Sequence, residues 1–304
     1  MRKRLAWILT WAAVLWFVSP AGAQIKAVAT LPDLGVILKA VGGDRVRVHT
    51  VARGDQDPHY VPANPSLLRK FRGARFLVYN GMELEIGWLP LLLQGARNPR
   101  LRSGSPGVFN ASSSVRRVLE VPVGQLSRAQ GDIHPEGNPH YTLDPRNGIR
   151  VAEALAERLG RLDAGGAGVY RANAKAFADR LSGKIKGWEE RLAPYQGREV
   201  VTYHRVWSYF FDWAGLQSAG EIEEKPGIPA SPIHVTRLVK RMRARDVRTV
   251  FVANYMPPRI AHRLAKRAGA RVVILPAQFG AEGGAETYEA WMDSLVAKVT
   301  GGLK

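Results

Sequence analysis

Hydrophobic and polar positions along residues 25–80 alternate between two periodicities. Ile25–Thr30 predicts a strand, Asp33–Val41 a short helix, Arg45–Val51 a second strand and Phe76–Asn80 a third. Strands that alternate with helices over short connections are typical of a parallel α/β sheet. The first part of the chain therefore predicts one α/β lobe.

A second series of the same kind begins near residue 198. Its predicted strands are Glu199–Tyr203, Thr249–Ala253 and Arg271–Leu275, and its predicted helices are Val206–Ala214, Ile233–Arg245, Pro258–Ala268 and Thr287–Val299. This repetition predicts a second α/β lobe with its own sheet.

A long amphipathic stretch separates the two series. Helix Gly148–Leu159 leads into Ala167–Leu192, where apolar residues recur every three or four positions. Such a helix would be about 39 Å long. We predict a fold of class α/β, with two lobes of parallel sheet joined by one long rigid helix. The predicted divisions are an N-terminal lobe over 24–160, the connecting helix over 161–197 and a C-terminal lobe over 198–304. Residues 102–138 are rich in Gly, Ser and Pro and predict an irregular segment at the rim of the first lobe.

The first 23 residues predict a secretory signal peptide. Basic residues Arg2–Arg4 precede an apolar run, and Ala21–Ala23 forms a small-x-small cleavage site, so the mature protein would begin near Gln24. The alternative is a membrane anchor, but an apolar run of about 14 residues is shorter than the roughly 20 that a span needs. We expect export to the periplasm.

The amino-acid composition limits which covalent links and metal ligands the protein can have. The 304 residues are 46% hydrophobic and include no cysteine. A lipid-bearing cysteine, a disulfide and a thiolate metal site are therefore excluded, and a metal would need His, Asp or Glu ligands. The formal net charge is +18, but the Lys and Arg residues are scattered and the chain is predicted to be exported. We interpret the charge as a solvated basic surface and expect no nucleic-acid partner.

Three of the seven histidines share a setting. His59 follows the second predicted strand, His140 lies in a loop before a helix and His204 ends a strand. Ligands of open α/β sheets gather at the carboxyl ends of strands, so these side chains can converge. Imidazole nitrogen binds zinc and similar transition metals, and a preceding proline stiffens two of the loops. Proton competition for imidazole predicts weaker binding at acid pH.

Four segments resemble a known family. They are Asp57–Ser66 (DPHYVPANPS), Val78–Glu85 (VYNGMELE), Asn138–Pro145 (NPHYTLDP) and His204–Phe210 (HRVWSYF). They are similar to the family patterns D-P-H-x-(Y/F)-x-P, V-x-N-G-x-x-(L/F)-E, N-P-H-x-W-L-D-P and H-x-x-(F/W)-x-Y-F. These belong to the cluster A-I solute-binding proteins of bacterial ABC transporters for zinc and manganese.

The resemblance implies both a site and a partner. His59, His140 and His204 would bind a metal ion in the cleft between the lobes. The protein, as a monomer, would deliver the ion to an inner-membrane permease and its ATPase. A histidine rather than a glutamate in the third position is similar to zinc-type members. Three imidazoles also suit zinc better than manganese, so Zn²⁺ is the expected transported ligand and Mn²⁺ is less favoured.

The sequence departs from the family at the fourth ligand. Members carry an Asp in a (Y/F)-x-D-S-(L/V)-G segment, whereas Leu275–Gly280 reads LPAQFG and places Ala277 there. Water, His134 or an acidic residue could fill the position. We expect Asp57 and Asp144 to fix their loops or to accept a histidine's second N–H. The acidic group Glu221, Glu223 and Glu224 predicts a solvated loop.

Two other functions remain open alternatives. Three ligands with an open fourth position also form catalytic zinc sites, and Asp57 or Asp144 could then act as the base of a metal-dependent hydrolase. The chain has no H-E-x-x-H helix and no phosphate-cradling glycine loop, so we expect a binding protein rather than an enzyme. An adhesion or metal-chaperone role is the third candidate.

Overall fold

Two parallel four-stranded sheets form the centres of the two lobes. The computed structural model describes residues 24–124, 131, 133–225 and 227–304, so the predicted signal peptide lies outside the described residues. The first sheet has the order β2-β1-β3-β4 and the second the order β6-β5-β7-β8. The strands are β1 (Ile25–Ala29), β2 (Val46–Thr50), β3 (Phe76–Tyr79), β4 (Val108–Asn110), β5 (Glu199–Thr202), β6 (Gln217–Glu221), β7 (Thr249–Ala253) and β8 (Arg271–Leu275).

Helices connect these strands and cover both sheets. They are α1 (Pro32–Gly42), α2 (Pro65–Gly73), α3 (Leu89–Ala96), α4 (Pro145–Leu162), α5 (Ala167–Leu192), α6 (Ser208–Ala214), α7 (Pro232–Ala244), α8 (Arg259–Ala268) and α9 (Tyr288–Leu303). Several begin with a polar cap followed by proline. Asn64, for example, accepts a hydrogen bond from Leu67 N at 3.0 Å before Pro65 starts α2. These caps fix where the loops from the sheets end.

The long helix α5 contacts helices from both ends of the chain. It packs against α1 and α4 of the first lobe and against α9. Polar contacts add to the α9 interface, because Trp188 Nε1 donates to Asp293 at 2.8 Å and Arg180 pairs with Glu289 at 3.1 Å. One continuous apolar core runs through the first lobe, α5, α6 and α9. A separate cluster packs α7 and α8 against the second sheet.

The predicted fold class is confirmed. Helix α5 has the predicted bounds, and β7 and β8 match as well. Four elements were not predicted, namely α2, α3, β4 and β6. Strand β4 lies within residues 102–138, so the segment predicted to be irregular also contains a short strand. None of the helices in the described part of the chain combines the length and apolarity needed to cross a membrane.

Candidate metal centre

Three histidine side chains meet between the lobes. His59 follows β2, His140 precedes α4 and His204 follows β5. One ring nitrogen of each lies within 4.8 Å of the other two. The three side chains are buried, and their ring centroids are 5.7–6.0 Å apart. The structure therefore brings the three histidines singled out in the sequence to one point.

Two carboxylates orient two of these rings from behind. Asp57 Oδ1 lies 2.8 Å from His59 Nδ1, and Glu223 Oε2 lies 2.8 Å from His204 Nδ1. A carboxylate at Nδ1 accepts that N–H and leaves Nε2 with its lone pair, which is the tautomer a metal needs. Although burial opposes it, the hydrogen bond from His59 lowers the pKa of Asp57. Both carboxylates are thus engaged as acceptors.

Glu223, one of the three residues of the acidic group, departs from the predicted role. The side chain of Glu223 is only 11% exposed and contacts His204, so the prediction of a solvated loop is wrong for this residue. Glu224, by contrast, lies at the surface and pairs with Arg237 at 3.0 Å. Asp144 caps α4 and pairs with Arg146 at 2.8 Å, which is the loop-fixing role expected of it.

The His140 ring is prepared to donate a lone pair. Burial, followed by the proximity of His59, His204 and His134, holds the pKa of His140 well below its usual value. Its Nε2 is buried and makes no hydrogen bond within the described part of the chain. An unpaired buried nitrogen costs about 1–3 kcal/mol. A neutral imidazole with an unpaired buried nitrogen, placed beside two other imidazoles, is the arrangement expected of a metal-binding site.

The end of β3 holds the His140 loop in place. Asn80 donates through Nδ2 to the carbonyl of Pro139 at 2.9 Å, and Tyr141 Oη donates to the Asn80 carbonyl at 2.9 Å. Buried Glu85 accepts the backbone N–H groups of Asn80 at 2.6 Å and Gly81 at 3.1 Å. The N-G-x-x-(L/F)-E segment therefore has a physical role in positioning His140, which sequence reasoning missed.

Hydrogen bonds cross between the lobes beside the histidines. Asn138 accepts His140 N–H at 2.9 Å and donates to the carbonyl of Arg205, next to His204, at 2.7 Å. On the other side of the cluster, Gln278 Nε2 donates to the Gln56 carbonyl at 2.8 Å. These bonds hold the loops that carry the three histidines in one fixed arrangement.

The loop that contains Ala277 also takes part in hydrogen bonds that connect the two lobes. Ala277 is buried, and its N–H donates to Asn254 Oδ1 at 3.1 Å, while Asn254 Nδ2 donates to the Gly54 carbonyl at 2.9 Å. Where members of the family carry an Asp, this chain has a cross-lobe hydrogen-bond network. His134 approaches the site instead, with its Nε2 3.2 Å from His59 Nε2.

Gly54 lies against the backbone of residues 279–281 in the other lobe. A Cβ built there would lie 2.3 Å from Ala281 N and 2.3 Å from the Gly280 carbonyl carbon, both backbone atoms that cannot rotate away. We expect Gly54→Ala to lower the free energy of unfolding by about 1–3 kcal/mol, as overpacking does, and to weaken metal binding by roughly tenfold. Denaturant unfolding and a zinc titration measure the two effects.

Gly183→Ala is the matched control for Gly54→Ala. Gly183 lies in α5, where an added Cβ would meet no atom within 4 Å, and alanine favours a helix by roughly 1 kcal/mol over glycine. An unchanged zinc affinity in Gly54→Ala would show that the close lobe contact does not hold the site.

The chain is similar to known proteins over most of its length. The family model described as "Zinc-uptake complex component A periplasmic" (ZnuA) matches residues 27–302. The metal ABC transporter substrate-binding lipoprotein ScbA of Streptococcus cristatus is 26% identical over 290 residues, covering 92% of this chain and 89% of that protein. The manganese ABC transporter substrate-binding lipoprotein PsaA of Streptococcus pneumoniae is 27% identical over 245 residues, covering 79% and 75%.

A solved structure shares the fold. The crystal structure of a ZnuA deletion mutant with zinc bound superposes with a TM-score of 0.77 at 23% identity, covering 92% of this chain and 98% of that one. At this identity the likeness establishes the two-lobe fold alone.

Proposed function

Because the chain belongs to the family of the zinc-uptake complex component A, we propose that it is the substrate-binding protein of a metal ABC importer and that zinc is its cargo. The observation that carries the proposal is the convergence of His59, His140 and His204 within 4.8 Å between the lobes. Imidazole nitrogens on preset loops bind an ion without a large ordering cost. In this proposal the three histidines are the metal ligands.

The donor atoms support zinc over manganese. The relatives include a protein named for manganese, so family membership alone leaves the ion open. Three imidazole nitrogens suit zinc, whereas manganese prefers oxygen ligands. Asp57 and Glu223, two carboxylates beside the cluster, each face a histidine Nδ1. The site therefore offers nitrogen to the ion and uses oxygen to orient the rings.

Export, domain division and partners complete the proposal. Residues 1–23 serve as a signal peptide and bring the mature monomer to the periplasm. The functional units are the lobes 24–160 and 198–304 and the connecting helix 161–197. The loaded protein delivers its ion to an inner-membrane permease with its ATPase.

A competition titration of residues 24–304 tests the cargo. We expect one zinc ion per chain and an affinity at least about a hundredfold higher than that for manganese, because nitrogen ligands discriminate in this direction. His262→Ala is the control, since His262 is an exposed histidine on α8. Equal affinities, or a preference for manganese, would contradict zinc as the cargo.

A gene deletion tests delivery. Growth of the deletion strain should fail in zinc-poor medium and recover with the wild-type gene, whereas the His204→Ala gene should not restore it. Normal growth of the deletion strain would argue against uptake and favour an adhesion or metal-chaperone role. Metal-dependent ester hydrolysis that His204→Ala abolishes would instead favour the hydrolase.

A further inference from the structure

We propose that His134 is the fourth ligand, so that the ion lies among four imidazole nitrogens. This inference rests on the proposed metal-binding function and names the residue that replaces the family's aspartate. Its starting point is that His134 reaches the cluster from the rim segment, although the residue lies only six positions before His140 in the sequence.

The distance between two ring nitrogens carries the inference. Nε2 of His134 lies 3.2 Å from Nε2 of His59, and the two ring centroids are 5.3 Å apart. Four nitrogens at 2.0–2.1 Å from a tetrahedral zinc ion are separated from one another by roughly 3.3 Å. This one pair therefore already has about the separation of two ligands of one ion. His134 lies outside the set of three histidines whose ring nitrogens are mutually within 4.8 Å, so its ring has to move towards His140 and His204 when the ion binds.

Four acidic candidates for the fourth position in the described part of the chain are engaged elsewhere. Asp57 and Glu223 contact the Nδ1 atoms of the two histidines, on the side of each ring away from Nε2. Glu223 also accepts Gly227 N–H at 2.9 Å. Asp144 is held by Arg146. Glu221 accepts Ser218 Oγ–H at 2.9 Å. Each of these carboxylates would have to leave its present partner and move towards the ion, whereas His134 Nε2 already lies 3.2 Å from His59 Nε2, and the ion would replace the hydrogen bond between these two rings.

The rim segment is anchored so that His134 can serve this role. Asn138 N donates to the Leu119 carbonyl at 2.8 Å, and Gly137 N donates to the His134 carbonyl at 3.0 Å. Leu119 N in turn donates to Tyr209 Oη at 3.1 Å, which ties the rim to α6. The turn at residues 134–137 thereby presents the His134 ring to the cleft.

Four imidazoles define the class of cargo more narrowly than three. They bring no negative charge and leave no oxygen donor on the ion. Ions that accept tetrahedral nitrogen sites, such as Zn²⁺ and Co²⁺, therefore bind, whereas ions that require several oxygen ligands, such as Mn²⁺, are disfavoured.

Cobalt substitution tests the fourth ligand directly. Wild-type protein loaded with Co²⁺ should show the intense visible absorption of four-coordinate cobalt. In His134→Ala the band should weaken and shift as water replaces a nitrogen, and zinc affinity should fall by roughly 10–100-fold. Added imidazole should restore the wild-type band in the His134→Ala protein, which also demonstrates that this variant is folded. His134→Gln should resemble His134→Ala, and His262→Ala should resemble the wild type.

The possible outcomes separate this inference from the proposed function. If His134→Ala keeps both the wild-type cobalt spectrum and the wild-type zinc affinity, His134 is not a ligand, and the three-histidine carrier stands. If the wild-type protein binds neither cobalt nor zinc, the proposed function itself fails.

Discussion

Replacing His140 with alanine is expected to weaken zinc binding by on the order of a thousandfold, or about 4 kcal/mol. The Nε2 atom of His140 is buried and has no hydrogen bond in the described part of the chain, and the low pKa of His140 keeps the ring neutral. Alanine removes this nitrogen and leaves a buried space that only water can fill. The loss should therefore exceed that of removing a ligand at the rim.

A histidine outside the cluster serves as the control for this result. His49 lies in β2, and its Nε2 is also buried without a hydrogen bond, but it is not a member of the histidine cluster. His49→Ala should retain zinc affinity within about twofold. Competition titration with a zinc-binding dye measures both variants. A His140→Ala protein that binds zinc within tenfold of the wild type would remove His140 from the site.

The stability of the metal-free protein is expected to fall as the pH rises past the pKa of Asp33. This carboxyl is buried at the start of α1, where it accepts hydrogen bonds from Thr142 Oγ1 at 2.7 Å and from Phe279 N of the other lobe at 2.7 Å. Burial raises its pKa from 3.8 to about 6. Between these two pH values the folded protein holds a proton that the unfolded chain has lost. The difference in pKa corresponds to about 3 kcal/mol in the free energy of unfolding, which is present below pH 4 and lost above pH 6.

Asp33→Asn isolates this contribution. The amide keeps the acceptor for Phe279 N but cannot ionise, so the variant should gain about 2 kcal/mol relative to the wild type between pH 4.5 and 7.5. Urea unfolding in the presence of a chelator measures the difference at each pH.

Asp163→Asn is the control for this pH dependence. A hydrogen bond from Tyr170 lowers the pKa of Asp163 from 3.8, so this carboxyl is ionised in both the folded and the unfolded state above about pH 4.5, and the stability of Asp163→Asn should run parallel to that of the wild type between pH 4.5 and 7.5. If the stability curves of Asp33→Asn and the wild type run parallel with pH, Asp33 does not ionise in this range.

The sequence predicted most reliably what a long periodic pattern encodes. Helix α5 matches to the residue because its apolar positions recur without interruption over 26 residues. Strand β6 was missed because its sequence, QSAGE, contains neither β-branched nor aromatic residues. It is a strand because β5 pairs with it in parallel, and this pairing depends on tertiary structure.

The missed strand explains the missed partner of His204. Glu223 lies 19 residues beyond His204 and two residues after β6. Parallel pairing of β5 with β6 places the two loop residues at the same edge of the sheet. The three histidines could be found from their places at predicted strand and helix ends. The bond between Asp33 and Phe279, by contrast, spans 246 positions and leaves no local pattern.

The placement of α5 has a consequence for how the molecule melts. The apolar face of α5 belongs to the same core as α9 and the first lobe. The two sheets and α5 should therefore lose their packing together. Heat denaturation should therefore occur as a single cooperative transition, with equal calorimetric and van't Hoff enthalpies. The separate cluster beneath α7 and α8 is the part whose amide hydrogens would exchange by opening alone.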